Sequence, residues 1–458
     1  MGTQQLLANE SIGKLLLKYS VPAIIGMIVN ALYNVVDRIF IGNIPEVGSL
    51  AITGVGVTMP ITTIILGFAM LIGIGATTSI SIKLGQGKKE EASKVIGNAI
   101  TLSVIISVIL TIIGLVFGDV ILSKFGASSE TLYYAKSYIN IILLGTIFNL
   151  IAFTINNTIR GDGNPKLSAI IMVIGCITNI VLDAVFIFIF NLGIQGAAIA
   201  TVISQFLTAA IGIGYYVSGR SNLKFVRSSL RLDKEITIKI LSIGAAPFSM
   251  QIAASLVQVI SNNVLKTYGT DLAIGAMATI SSVALMCLMP IFGINQGAQP
   301  IIGFNYGAKQ EERAKKAFKL SALVATIILT FAFIIVQTFP EAIIGIFNKD
   351  PKFMEISVKG MRIYLLMLPI IGISITGSNY IQSIGEAKTA MFLSLLRQVI
   401  LLIPFILILP RIFGLGLNGV WIAQPVSDVL STIITALILV KSMRTKEEKE
   451  EPLIKKAN

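Results

Sequence analysis

The sequence predicts an all-α membrane protein: twelve transmembrane helices arranged as two parallel six-helix repeats, related by a pseudo-two-fold axis along the membrane normal. Three observations predict it. The 458-residue chain is 54% hydrophobic and only 13% charged, with a mean hydropathy of +0.85, whereas a soluble domain has about a quarter of its residues charged. The apolar surplus falls into long runs, and about 20 apolar residues suffice to cross a bilayer. The second half of the chain repeats the first at a nearly constant offset.

Taken in order, the spans read from the sequence are 15–41, 50–82, 95–117, 131–159, 167–190, 194–218, 236–265, 271–304, 317–339, 354–384, 388–410 and 416–440. The first follows a polar N-terminus without a small-residue cleavage pattern, so it reads as a span and not as a signal peptide. The gaps after even-numbered spans are basic, as with Lys83, Lys88, Lys89 and Lys94 after the second. The gaps after odd-numbered spans hold few basic residues, and 43–49 and 191–193 hold none. This alternation is the positive-inside bias. It predicts a multi-pass protein of the cell (inner) membrane with both termini cytoplasmic, and it accounts for the formal charge of +13 without nucleic acid. The division expected is an N-terminal lobe over 1–218, a basic cytoplasmic linker over 219–235, a C-terminal lobe over 236–441 and a charged cytoplasmic tail over 442–458. Cys176 and Cys287 fall inside apolar runs, where a thiol behaves as a small hydrophobe.

The repeat shows in ordered matches. Pro22 matches Pro247, 225 residues on. Gly73 and Gly87 match Gly293 and Gly307 at 220, and Gly163 with Lys166 matches Gly385 with Lys388 at 222. Gly193 and Gly196 match Gly416 and Gly419 at 223. Both halves start on the same side, hence parallel repeats, an arrangement found in secondary transporters with binding sites at mid-membrane. Pro22, Pro60, Pro247 and Pro290 are expected to interrupt their spans, which membrane helices tolerate where neighbours re-satisfy the backbone.

A carboxylate inside the membrane is costly and is a functional candidate by default. Three stand out: Asp37, Asp183 and Asp428. Asp37 shares a helical face with Asn30, Tyr33 and Asn34, and Asp183 shares one with Asn179. With Thr201 in the sixth span they make an oxygen-rich set suited to a hard cation such as Na+. The same carboxylates can instead hold H+, because burial and mutual repulsion both disfavour their charged forms. The competing role is structural, each aspartate tied to nearby Asn, Thr or Tyr groups. Asn34 and Asp428 stand between the cation and structural roles, Asp428 lying near Gln424 and Ser427. Candidates for a substrate cavity are Tyr33, Met172, Gln251, Ser255, Gln258, Met286 and Gln296. Uncharged polar stripes of this kind also serve to join helices by hydrogen bonds, and Met is more often a core filler.

There is no G-x-x-x-x-G-K-[ST] loop, so nucleotide hydrolysis by this chain is not expected. No histidine occurs, which removes the commonest proton relay, and no nucleophile–base set is visible. The chain is not expected to be an enzyme or to need a cofactor beyond a coupling ion, Na+ or H+.

The segments YSVPAII, ALYNVVDRIFIG, TIRGDGNPK, NIVLDAVFIF and GIQGAAIAT, set in this twelve-span plan, resemble the multidrug and toxic compound extrusion (MATE) family, prokaryotic branch, from about Ile12 to Met443. The resemblance implies a two-lobed secondary active exporter, antiporting cationic or amphipathic drugs and dyes against a cation by alternating access. It carries a cation site onto Asp37, Asn179, Asp183 and Thr201 and implies a cavity between the lobes. The sequence departs from members with acidic residues in the seventh and tenth spans, where it has Gln and Ser. The alternative readings are a flippase for a lipid-linked precursor, for which only Arg397 is a basic candidate at membrane depth, and a channel or membrane receptor. The expected partners are small molecules and the bilayer, the protein being a monomer.

Overall fold

A computed structural model describes residues 3–125, 130–225, 227–269, 271–412 and 414–454, without the side chains of Thr3, Gln4, Asn34, Ser49, Asp271 and 444–454. Every regular element among the described residues is helical. The first lobe comprises α1 (Thr3–Asn9), α2 (Ile12–Gly42), α3 (Gly48–Gly85), α4 (Lys89–Lys124), α5 (Thr131–Gly161), α6 (Pro165–Ala184) and α7 (Gly193–Val217). A strap holding a 3-10 turn, Arg227–Leu230, leads to the second lobe. There follow α8 (Lys234–Tyr268), α9 (Asp271–Gly307), α10 (Glu311–Thr338), α11 (Pro340–Phe347), α12 (Pro351–Tyr364), α13 (Leu368–Ser383), α14 (Ala387–Leu395), α15 (Ile403–Ile408) and α16 (Leu417–Ile454). Among the described residues eleven helical stretches are long and apolar enough to span a membrane, the one over Ala387–Arg411 running through α14 and α15, and α12 with α13 makes twelve when that pair, bent by 53°, is taken as one span.

Local chemistry explains where these helices start. The Asn164 side chain accepts from the Leu167 amide at 3.2 Å, with Pro165 opening α6. Asp233 and Asp350 cap α8 and α12 in the same way. Such caps satisfy amides that the helix leaves without partners. The predicted interruptions at Pro22, Pro60, Pro247 and Pro290 are corrected: α2, α3, α8 and α9 run on through them. The break comes instead before Pro369, and wide π turns occupy Val185–Ile189 and Leu396–Leu402. Also absent from the sequence reading is α1, whose Leu7 is buried and whose end accepts hydrogen bonds from Arg313 in the other lobe.

The repeat is more regular in space than in letters. Gly163 and Gly385 hold equivalent left-handed turns at φ +98° and +82°. The match of Gly87 to Gly307 slips by two, because Gly87 and Lys309 share the left-handed turn at φ +74° and +58°. Gly85 and Gly307 then become equivalent, and their contacts agree. A Cβ on Gly85 would stand 2.0 Å from the Phe304 carbonyl, and one on Gly307 would stand 2.1 Å from that of Ile82.

These are contacts between the lobes. Gly244 meets the Leu71 carbonyl and Gly75 that of Ile240, while Gly293 and Gly297 press on Ile24 and Ser20. Small residues let helix backbones approach this closely. All lie in the halves of α2, α3, α8 and α9 nearest the end that carries both chain termini. Every described hydrogen bond between the lobes lies there too, including Gln299 Nε2 to Thr78 Oγ1 at 2.7 Å and Ser20 Oγ to the Ile294 carbonyl at 3.4 Å. The tilted ring pair of Phe68 and Phe248, 4.8 Å between centres, marks the outer edge of the seam. The bundle is thus closed at the terminal end, where the described hydrogen bonds between the lobes gather.

Candidate functional site

Three helices bring Asp37, Asn179, Asp183 and Thr201 together inside the first lobe. The spacing of four puts Asn179 and Asp183 on one face of α6, and α2 and α7 flank that face. The Asn179 amide donates to Asp183 Oδ1 at 3.5 Å and to Thr201 Oγ1 at 3.4 Å. The Asp37 and Asp183 carboxyl groups lie within hydrogen-bonding reach of each other, a contact that one shared proton would bridge. Asp183 is fully buried and Asp37 is 8% exposed.

The site is short of donors. Asp37 Oδ1, Asp183 Oδ2 and Asn179 Oδ1 are all buried without a hydrogen-bond partner among the described residues. Orphaned buried acceptors are costly and call for an explanation. Three acceptors converging on two carboxyl groups fit a small positive charge, either a proton or a hard monovalent cation bound through oxygen. Tyr138 of α5 is buried within electrostatic reach of Asp37, Asp183 and Arg38. Sequence spacing did not reveal Tyr138, because it joins the site from a helix with no carboxylate of its own there. Tyr33 stands half-buried one turn from Asp37, near Tyr138. The Asn34 side chain lies outside the described residues.

Asp428 belongs to a different cluster. It accepts from Gln424 Nε2 at 2.9 Å and pairs with Arg397 Nη1 at 3.8 Å, inside the second lobe. Ser427 Oγ also donates to the Arg397 carbonyl at 2.8 Å. The second-lobe carboxylate therefore has an internal counter-ion, and the arginine is committed to it.

The cavity candidates divide. Gln251 lies beside Gly67 across the seam, and helical spacing aligns Ser255 and Gln258 on that face farther along α8. Ser255 donates to the Gln251 carbonyl at 3.4 Å, and exposed Gln258 donates to Asn262 Oδ1 at 3.0 Å. Gln296 accepts from Arg160 and donates to Met27 Sδ at 3.4 Å. Two candidates stand elsewhere. Met172 packs on Gly26 within the first lobe, and Met286 is 69% exposed in an apolar groove with Ile335 and Ile346. Arg160, only 4% exposed, was not singled out from the sequence. Its neighbour Asp162, at the α5–α6 turn, accepts from Tyr215 Oη at 2.7 Å and from the Asn222 amide at 3.0 Å. Burial pushes the Asp162 carboxyl up to about 6.

Known proteins share this architecture. The sequence profile of the MatE family matches residues 22–185 and 248–408. The multidrug export protein MepA of Staphylococcus saprophyticus is 27% identical over 433 residues, covering 94% of this chain and 95% of that protein. Among solved structures, the MATE multidrug transporter DinF-BH, solved as a complex with a ligand, superposes with a TM-score of 0.87 at 40% identity, covering 94% of this chain and 96% of that one. An outward-facing MATE family transporter of the MOP superfamily superposes at 0.91 with 24% identity, over 98% and 99% of the two chains, and shows the same fold.

Proposed function

This chain belongs to the MatE family, and from that premise we propose that it is a secondary active exporter that antiports cationic or amphipathic small molecules against protons or sodium ions by alternating access. The observation that carries the coupling site is the set of three orphaned acceptor oxygens on Asp37, Asn179 and Asp183. A proton or sodium ion supplies the missing partner. The carboxyl–carboxyl contact supports the proton, and the Asn179 and Thr201 oxygens support sodium.

In this reading the termini face the cytoplasm of the cell membrane. The glycine seam then shuts the cytoplasmic end and leaves the inter-lobe cleft facing outward. An ion entering from outside occupies the Asp37–Asp183 pair, and the lobes rock about the seam so that the cleft opens inward to load substrate. A charge left unpaired at mid-membrane is costly, so the ion-free site disfavours the rearrangement and ties movement to coupling. The protein acts as a monomer. A flippase for an anionic lipid-linked precursor would need free cations in the cleft, but Arg397 is paired with Asp428 and Arg160 is bonded to Asn157 and Gln296.

Proteoliposomes loaded with a fluorescent cationic dye test the proposal, with a proton or sodium gradient imposed in turn. The wild type is expected to move dye under at least one gradient, and Asp183→Asn to insert normally but lose that transport. Gradient-driven transport by Asp183→Asn at the wild-type rate overturns the coupling role. Dye movement indifferent to both gradients overturns antiport.

A further inference from the structure

The strap between the lobes is not a loose tether. Asn98 of α4 holds it from both faces of its amide, Nδ2 donating to the Ser229 carbonyl at 3.1 Å and Oδ1 accepting from the Asp233 amide at 2.7 Å. Thr101 Oγ1 donates to the Leu230 carbonyl at 2.8 Å. Gly97 has no side chain, and a Cβ there would stand 2.5 Å from the Ser229 carbonyl group, so the strap backbone lies directly on α4. At its other end Asn222 Nδ2 donates to the Asp162 carbonyl at 2.9 Å, and Leu223 beside it is fully buried. Two anchors thus fix both ends of the segment to the first lobe.

What the strap presents outward is positive. Arg220, Lys224, Arg227, Arg231 and Lys234 are all exposed, and none makes an ion pair among the described residues. The acidic groups within the segment are Asp233, spent on capping α8, and exposed Glu235. The strap also has a definite depth. Its seat at Gly97, Asn98 and Thr101 lies in the first turns of the span read at 95–117, directly after Lys94. Exposed Val217, Leu232 and Ile238 flank it at 65%, 42% and 54%, which marks the same level as the edge of the hydrocarbon.

From this placement we infer that the strap is a binding surface for anionic phospholipid headgroups, a fixed row of cations standing in the headgroup layer beside the first lobe. Clustered Lys and Arg next to a membrane helix attract anionic lipid, each adding to the affinity. Membrane topology requires only that the charges exist on that side. It does not require that their backbone be bolted to a helix at headgroup depth. The pinned geometry also selects lipid over a nucleic acid or an acidic protein: the exposed apolar neighbours seat the row in the bilayer edge, and the anchored backbone cannot reach out to wrap a partner in solution.

The test is native mass spectrometry of the full-length protein released from nanodiscs of equimolar phosphatidylglycerol and phosphatidylcholine. It reads lipid retention without needing transport. The wild type is expected to retain phosphatidylglycerol over phosphatidylcholine by about tenfold or more. A variant with Arg220→Gln, Lys224→Gln, Arg227→Gln and Arg231→Gln should lose that preference. A control neutralising Lys309, Lys316, Lys319 and Lys388 to Gln should keep it. No preference in the wild type, or equal loss in both variants, overturns the inference.

Discussion

The Arg160 guanidinium, in α5 of the first lobe, donates to the side-chain carbonyl of Gln296, in α9 of the second. Its other described bond is to Asn157 Oδ1 at 2.7 Å. A cation buried to this degree normally pairs with a carboxylate. Here two neutral amides hold it, one of them across the boundary that must part if the lobes rock.

Gln296→Glu replaces the neutral acceptor with a charged one, and charge-assisted bonds are about twice as strong. It should hold the terminal end shut and slow dye transport by about tenfold. Gln296→Leu strands the guanidinium at a cost of roughly 1–3 kcal/mol and should favour separation at that end. Spin-label distances between positions 88 and 310 read both effects. If the wild-type distance responds to dye while neither variant moves it, the contact has no part in gating.

The glycine seam gives a steric prediction. A Cβ on Gly244 would lie 1.7 Å from the Leu71 carbonyl, a backbone atom that cannot rotate away. Gly244→Ala should therefore keep the terminal end from closing, with transport falling well over tenfold while the protein still inserts. Cysteine accessibility at position 81, where a buried serine lies against Gly303 across the seam, reports the change: labelling should rise in the variant, and unchanged labelling would show that the seam absorbs a methyl group.

The two polar clusters should fail differently. Asn179→Ala removes one ligand of the first-lobe site without removing charge, so the ion dependence of transport should shift by about tenfold with little loss of thermal stability. Asp428→Asn leaves Arg397 buried without its counter-ion and should destabilise the protein by about 3–5 kcal/mol. Arg397→Met combined with Asp428→Leu should recover much of that, since apolar replacement of a buried pair is often neutral. Melting temperature in detergent, set beside transport against ion concentration, separates the two. A shift in ion dependence from Asp428→Asn would place that residue in coupling.

Asp162 predicts a pH effect in the strap anchor. Burial raises its carboxyl to about 6, against an ordinary value of 3.8. Charged Lys89 and the hydroxyls of Tyr19, Tyr215 and Tyr216 are the titratable groups around it. Between those two values the unfolded chain gives up the proton while the folded chain keeps it. Stability from this group is therefore full below 3.8, declines as pH rises, and levels off above about 6. Hydrogen exchange over residues 219–225, corrected for the intrinsic rise of amide exchange with pH, should speed up across that window in the wild type. The increment should vanish in Asp162→Asn.

The sequence alone determined the membrane class, the number of spans, the parallel repeat and the face of α6 that carries Asn179 and Asp183. Each follows from local periodicity and hydropathy, quantities defined along one helix at a time. The same local view misplaced what depends on neighbours. It expected interruptions at prolines where packing keeps the helices continuous, and it matched Gly87 to Gly307 by letter where the turn geometry pairs Gly87 with Lys309. Tertiary structure decided which distant groups meet: Asp37 with Asp183, Asp428 with Arg397, Arg160 with Gln296, Asn98 with the strap. Such pairings depend on how helices far apart in the chain cross, and apolar helices of similar composition carry little record of their partners in their own letters.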